Sequence, residues 1–190
     1  MTSENLKIQI IVSSTRENRF GETVGTWFTG IASSRDDMDV EMLDLRDYPM
    51  PFFNEPMSPS GGHYAEEAKP WAEKIAQADG FVIVAAEYNH GPTAVLKNAL
   101  DHLYREWNNK PVGFVSYGGG AGGARAVQQL RLNSIELQMA PIRDAVVIPM
   151  ARTAFDENGQ PKNDALNDRA TALLNQLIWW ARALKTAREE

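Results

Sequence analysis

Ile10-Ile-Val-Ser-Ser-Thr-Arg-Glu-Asn-Arg-Phe-Gly21 is the stretch whose reading decides the fold. It opens as the end of an apolar run (Ile8, Ile10, Ile11, Val12) and closes where helical spacing begins at Val24, Trp27, Phe28 and Ile31. Residues 6–13 therefore read as a buried parallel strand and 21–33 as the first helix. Between them stand three hydroxyls, Ser13, Ser14 and Thr15, and two arginines, Arg16 and Arg19. A helix N-terminus carries unpaired N–H groups and partial positive charge, so a strand emptying through such a turn into a helix forms an anion cradle. The turn has neither the G-x-G-x-x-G nor the G-x-x-x-x-G-K-[ST] pattern. Without the lysine of the latter it suits a single terminal phosphate better than a triphosphate with magnesium. An ordinary capped strand–helix turn would use the same residue types, and on this stretch alone both readings stand.

The rest of the chain repeats the alternation. Met38–Asp44 has period two and charged flanks, as an edge strand would. Residues 47–62, with four prolines and two glycines, form a long irregular loop. Its Phe52 and Phe53 either cover a planar ligand or, the favoured reading, pin the loop to the core. A helix through Ala68, Trp71, Ala72 and Ile75 leads to Gly80–Ala86, the clearest buried strand. Leu96, Ala99, Leu100, Leu103 and Trp107 keep helical spacing over 93–107. Pro111–Tyr117 is a fourth strand, a helix through Val127, Leu130 and Leu137 follows, and residues 144–149 make a fifth strand. The last helix begins near Asn163. Strand alternating with helix predicts an α/β domain over 1–190 with a five-stranded parallel sheet, helices on both faces and flavodoxin-like order 2-1-3-4-5.

Composition excludes several chemistries. There is no cysteine, so disulfides, thiol catalysis and thiolate-held metals are ruled out. His63, His90 and His102 lack metal-ligand spacing, and no metal site is expected. A net charge of −6 argues against coating nucleic acid or an anionic membrane. No apolar run approaches the ~20 residues of a membrane span, and MTSENLK shows no leader pattern, so the expected location is cytoplasmic.

In an open parallel sheet, ligands bind outside the strands' carboxyl ends, where strand order reverses. The loops after strands one, three and four converge there: Ser13–Gly21, Glu87–Thr93 and Ser116–Gly123. The loops after strands two and five read as generic by comparison. Each of the three suits one part of flavin mononucleotide (FMN). The first suits the phosphate. The second offers Tyr88 for stacking and Asn89 for hydrogen bonds, with Gly91 and Pro92 setting the turn. Five glycines in the third let bare backbone approach the ring, although a flexible turn has the same composition.

These residues resemble the NADPH-dependent FMN reductase family. The matching stretches are Ser14-Thr-Arg-x-x-Arg-x-Gly21, Glu87-Tyr-Asn89, Leu96–Asp101, Lys110–Gly119 and Gly122-Gly-x-Arg-Ala126. The resemblance implies Ser14, Thr15, Arg16, Arg19 and Gly21 around the FMN phosphate. It places Glu87, Tyr88 and Asn89 along the ribityl chain and ring, and Ser116, Tyr117, Gly118 and Gly119 facing the isoalloxazine. It also implies NADPH or NADH as co-substrate, an acceptor such as a quinone, flavin, azo compound or chromate, and a homodimer or homotetramer joined through helix 93–107. Two positions depart from the family pattern: Ser13 where glycine is usual, and Ala86 where proline is frequent. No side chain is expected to be catalytic in its own right, since flavin carries the chemistry. His90 reads as a solvated loop residue rather than a proton donor. The alternatives are a flavodoxin-like electron carrier that does not oxidise NAD(P)H, and a flavin-free scaffold.

Overall fold

The computed structural model describes residues 5–190. Met1–Glu4, part of the stretch read as lacking a leader, lie outside them. Five strands form one sheet: β1 Leu6–Val12, β2 Met38–Asp44, β3 Gly80–Ala86, β4 Pro111–Tyr117 and β5 Ala140–Ile148. Their order is β2-β1-β3-β4-β5, and every pairing is parallel. The helices are α1 Gly21–Ser33, α2 Lys69–Ala76, α3 Ala94–Asp101, α4 Ala124–Glu136, the short α5 Ala151–Ala154 and α6 Ala165–Glu189.

Two cores follow from this layering. On one face, Val24, Trp27 and Phe28 of α1 and Leu173, Leu174 and Leu177 of α6 pack on Ile8, Ile10, Val82 and Val84. On the other, Trp71 and Ile75 of α2, Leu96 and Leu100 of α3, and Leu130 of α4 pack on Ile11, Ile83 and Phe114. Fully burying each such side chain contributes roughly 1.5–3 kcal/mol. Every residue of β3 and β4 is buried, which is why those strands read as unbroken apolar runs.

Three boundaries differ from the sequence expectation. β5 starts at Ala140 rather than 144, with Pro141 opposite Val112 in the ladder. Proline lacks a donor, but β5 is an edge strand and one side of it need not donate. The helix expected over 93–107 ends at Asp101 and resumes as a 3-10 turn at Arg105–Trp107. Leu103 and Trp107 stay buried, so the apolar spacing recorded burial rather than continuous helix. The last helix starts at Ala165, with the Asn163 side chain accepting from the Ala165 N–H at 3.0 Å.

The proline-rich loop is tethered to α3. Asn98 donates to Pro51 O at 2.8 Å and accepts from the Phe53 N–H at 2.9 Å, and His102 Nε2 donates to Pro51 O at 2.9 Å. The Phe53 ring meets His102 edge-on at 5.4 Å. Phe53 is thus the pin, whereas Phe52 is 78% exposed and holds nothing down.

Candidate active site

β1 and β3 are neighbours at the switch point of the sheet, and Ser13 marks it. Its N–H donates to Val84 O at 3.2 Å, its Oγ accepts from the Ala86 N–H at 3.4 Å, and its carbonyl accepts from Thr93 Oγ1 at 2.8 Å. Thr93 in turn caps α3 through the Leu96 N–H. The two departures from the family pattern therefore meet each other. The Ser13 hydroxyl bonds an N–H at residue 86 that proline would not have.

From Ser14 the loop runs to an uncapped helix. Phe20 occupies the N-cap of α1 and supplies no side-chain hydrogen bond, so the first-turn N–H groups are left for a ligand. Ser14 Oγ shares a 2.6 Å hydrogen bond with the Tyr88 hydroxyl, and the Arg16 guanidinium lies 5.7 Å from the Tyr88 ring centroid. Arg19 has other employment. Its side chain is buried, bound bidentately to Asp44, with Nη1 also donating to Ser14 O at 2.5 Å. Arg46 donates to Thr15 O at 3.3 Å and Arg16 O at 2.6 Å.

The loop after β3 is a tight two-residue turn. Tyr88 and Gly91 exchange both backbone hydrogen bonds, at 2.9 and 3.1 Å, with Asn89 (φ 50°) and His90 (φ 76°) between them. Positive φ at both central residues is a type I′ arrangement, which asparagine tolerates well. The turn is thus centred on Asn89 and His90, not on Gly91 and Pro92. Glu87 points the other way, toward α4, where it accepts from the Arg125 N–H at 3.1 Å and Arg125 Nε at 2.6 Å. Burial opposes ionisation of this carboxyl, but the Arg125 guanidinium and the N–H groups at the α4 N-terminus hold it below the ordinary range.

Gly122 (φ 61°) and Gly123 (φ 87°) make the loop after β4 possible. A Cβ at Gly123 would stand 2.8 Å from the Tyr117 nitrogen, and one at Gly122 would stand 2.8 Å from the Pro149 nitrogen. Ser116, fully buried, braces the loop from beneath by donating to Gly122 O at 3.0 Å. At Gly119 a Cβ would meet no protein atom within 4 Å. Gly118 O and Gly119 O accept from the Ala151 and Met150 N–H groups at 3.1 and 2.9 Å, drawing the loop after β5 to the same edge.

These loops enclose a cleft of about 380 Å³. Arg16, Phe20, Tyr88, Tyr117, Gly119 and Met150 are among its walls. Burial, reinforced by the nearby Tyr88 phenol, pushes the Tyr117 hydroxyl up to about 12, so it stays a neutral donor at physiological pH.

Residues 6–153 match the family model for NADPH-dependent FMN reductases. The chain belongs to that family. It is 42% identical over 147 residues to an NAD(P)H-dependent FMN reductase of Schizosaccharomyces pombe, covering 75% of this chain and 74% of the relative. With an NAD(P)H:quinone oxidoreductase of Solanum tuberosum it shares 32% over 154 residues, 78% of each chain. In fold it is similar to FerB, a flavoenzyme NAD(P)H:(acceptor) oxidoreductase of Paracoccus denitrificans, with TM-score 0.78, 17% identity and coverage of 94% and 98%.

The chain is accordingly an FMN-dependent NAD(P)H oxidoreductase with a flavodoxin-like fold. The structure's own donor set fits FMN: an uncapped helix start beside Ser14, Thr15 and Arg16, and at Gly119 space that the protein leaves unfilled. Of the residues expected at the site, Arg16, Glu87, Tyr88, Tyr117, Gly118 and Gly119 line the cleft. Ser14 and Thr15 sit in the loop leading to the α1 N-terminus, and Asn89 is exposed on its turn. Arg19 lies behind the first loop and Ser116 beneath the glycine loop. Gly21 is buried, and a Cβ there would fall 2.5 Å from the Tyr117 hydroxyl. Sequence reasoning passed over Asp44 and Arg46 at the end of β2 and Met150, Arg152 and Thr153 after β5. Only the parallel order of the sheet, which brings all strand ends to one edge, signalled them.

Proposed function

We propose that residues 1–190 act as one FMN-binding domain that passes electrons from NAD(P)H to a quinone. Ser14–Gly21 would hold the FMN phosphate, and Tyr88 with Gly118–Gly119 would flank its isoalloxazine. The observation that carries this reading is the cleft itself, whose lining comes from the loops after β1, β3, β4 and β5 at the switch point. When bound, FMN would supply the hydride-transfer chemistry between nicotinamide and acceptor. The protein's part is to bind and orient. First-turn N–H groups of α1 and Arg16 would neutralise the phosphate, while Phe20, Tyr88 and Met150 border a slot for planar rings. The quinone oxidoreductases among the relatives support a quinone as acceptor.

A cytoplasmic location and a homodimer or homotetramer belong to the same reading. No helix among the described residues is long and apolar enough to cross a membrane. On α3, Val95 is exposed and Lys97 pairs with Asp101 at 2.7 Å, which leaves a mixed surface for a second copy. Sedimentation of the holoprotein should give a species of twice or four times the chain mass.

Anaerobic mixing of the FMN-loaded protein with NADPH or NADH tests the activity. Rapid two-electron bleaching of the flavin, reversed by a quinone, is expected. Bound FMN that neither nucleotide bleaches would make the protein an electron carrier instead.

A further inference from the structure

Four consecutive carbonyl oxygens of the first loop are each held by a side chain, three of them from outside the loop. Ser13 O accepts from Thr93, Ser14 O from Arg19, and Thr15 O and Arg16 O from Arg46. A carbonyl turned toward a phosphate would repel it, since both present negative charge. Drawing these oxygens to the back of the loop leaves its front to N–H and hydroxyl donors.

One carboxylate organises three of those four contacts. Asp44, the last residue of β2, binds both terminal nitrogens of Arg19, and its Oδ1 also accepts from the Arg46 N–H at 2.9 Å. Arg19 is buried, and both its terminal nitrogens are engaged while its buried Nε has no hydrogen-bond partner among the described residues. Arg46 is exposed, and what aims it at Thr15 and Arg16 is the turn that Asp44 closes. The nearby Glu22 lies 3.9 Å from Arg19 Nη2 and is exposed, so it is a lesser partner.

We propose that Asp44 is a positioning residue for the cofactor's phosphate, acting through Arg19 and Arg46 to hold the carbonyls of Ser14, Thr15 and Arg16 away from it. This rests on the reading that the FMN phosphate occupies the first loop. Asp44 touches neither flavin nor substrate. Its effect is on how well the loop tells FMN from riboflavin.

Full-length protein stripped of flavin and titrated with FMN and with riboflavin tests this by flavin fluorescence. Asp44→Asn should weaken FMN by about tenfold or more, and Arg46→Ala by roughly three- to tenfold, with riboflavin affinity altered less than about twofold. Arg46 is a surface residue, so its variant keeps the test alive if Asp44→Asn does not fold. Equal losses for both flavins, unchanged FMN affinity, or tighter FMN binding in the folded variants would each overturn the proposal. Wild-type protein that binds FMN no better than riboflavin overturns the phosphate reading beneath it, and so separates that failure from one of the Asp44 clamp.

Discussion

Across the cleft from each other, two loops are built by opposite means. Ser13–Phe20 is braced by side chains reaching in from β2 and α3: Asp44, Arg46 and Thr93 with Arg19 of the loop itself. Gly118–Gly123 is held by main-chain bonds to Ile148, Met150 and Ala151, with Ser116 beneath. On the proposed placement of FMN, the difference follows from what each loop would meet. A doubly charged phosphate needs donors kept in place and carbonyls kept away, which side chains can do. A flat ring needs close backbone approach, which any side chain would prevent.

The contrast is broken most severely at Gly123. Gly123→Ala combines left-handed backbone with a Cβ 2.7 Å from the Ser116 Cβ, and should cost roughly 3 kcal/mol or more in urea denaturation. Gly119→Val has open space and should leave stability within about 0.5 kcal/mol of wild type while disturbing FMN affinity or reduction potential. A stable Gly123→Ala protein would show that the glycine loop relaxes freely, and the contrast would fail.

Arg16→Ala comes next. Its guanidinium is exposed at the cleft, unlike that of Arg19. Loss of one charge-assisted hydrogen bond, ~1.5–3 kcal/mol, should weaken FMN about ten- to a hundredfold and leave riboflavin nearly unaffected. Equal losses would make Arg16 a brace like Arg19.

Acid should act on the side-chain-braced loop first. Burial raises the Asp44 carboxyl, but hydrogen bonds from Arg19 and the Arg46 N–H more than offset it, and the folded-state value lies below the ordinary one. Arg19 is correspondingly raised, chiefly by its hydrogen bond to Asp44. A depressed carboxylate contributes stability that is fully present above about pH 4, its unfolded value, and is lost as pH falls through the folded value. Glu87 adds to the same limb. Stability measured from pH 6 to pH 2 should fall less steeply in Asp44→Asn than in wild type. Parallel curves would show that the clamp is not ionised as described.

The smallest effect belongs to the Ser13–Ala86 bond. In a double-mutant cycle of Ser13→Gly and Ala86→Pro, a 3.4 Å hydrogen bond should appear as a coupling of about 0.5 kcal/mol. Strict additivity would mean that the two departures from the family pattern are independent.

The clearest readings were local ones. The limits of α1, β2, β3 and β4 coincide with the expected residues, because burial on one or both faces writes a period directly into neighbouring positions. The expected β5 was too short because it contains a proline that only an edge strand tolerates, and edge position is not a local property. The candidate cleft was legible as three loops on one edge, since a parallel sheet gathers its carboxyl ends together. The contribution of β5's loop was not, because Met150–Thr153 carry no distinctive chemistry in sequence.

The alternation of strands and helices and the faces they bury were thus determined by the pattern of apolar residues along the chain. The roles of the charges were decided by tertiary structure. Arg16 and Arg19 are alike in sequence, yet one faces the cleft and the other is spent on Asp44, 25 residues away. Glu87 reads as a ligand residue, yet it caps α4 through Arg125, 38 residues on. Apolar burial is read from neighbours in sequence. A buried charge must find its partner wherever the folded chain supplies one, and that partner is visible only in three dimensions.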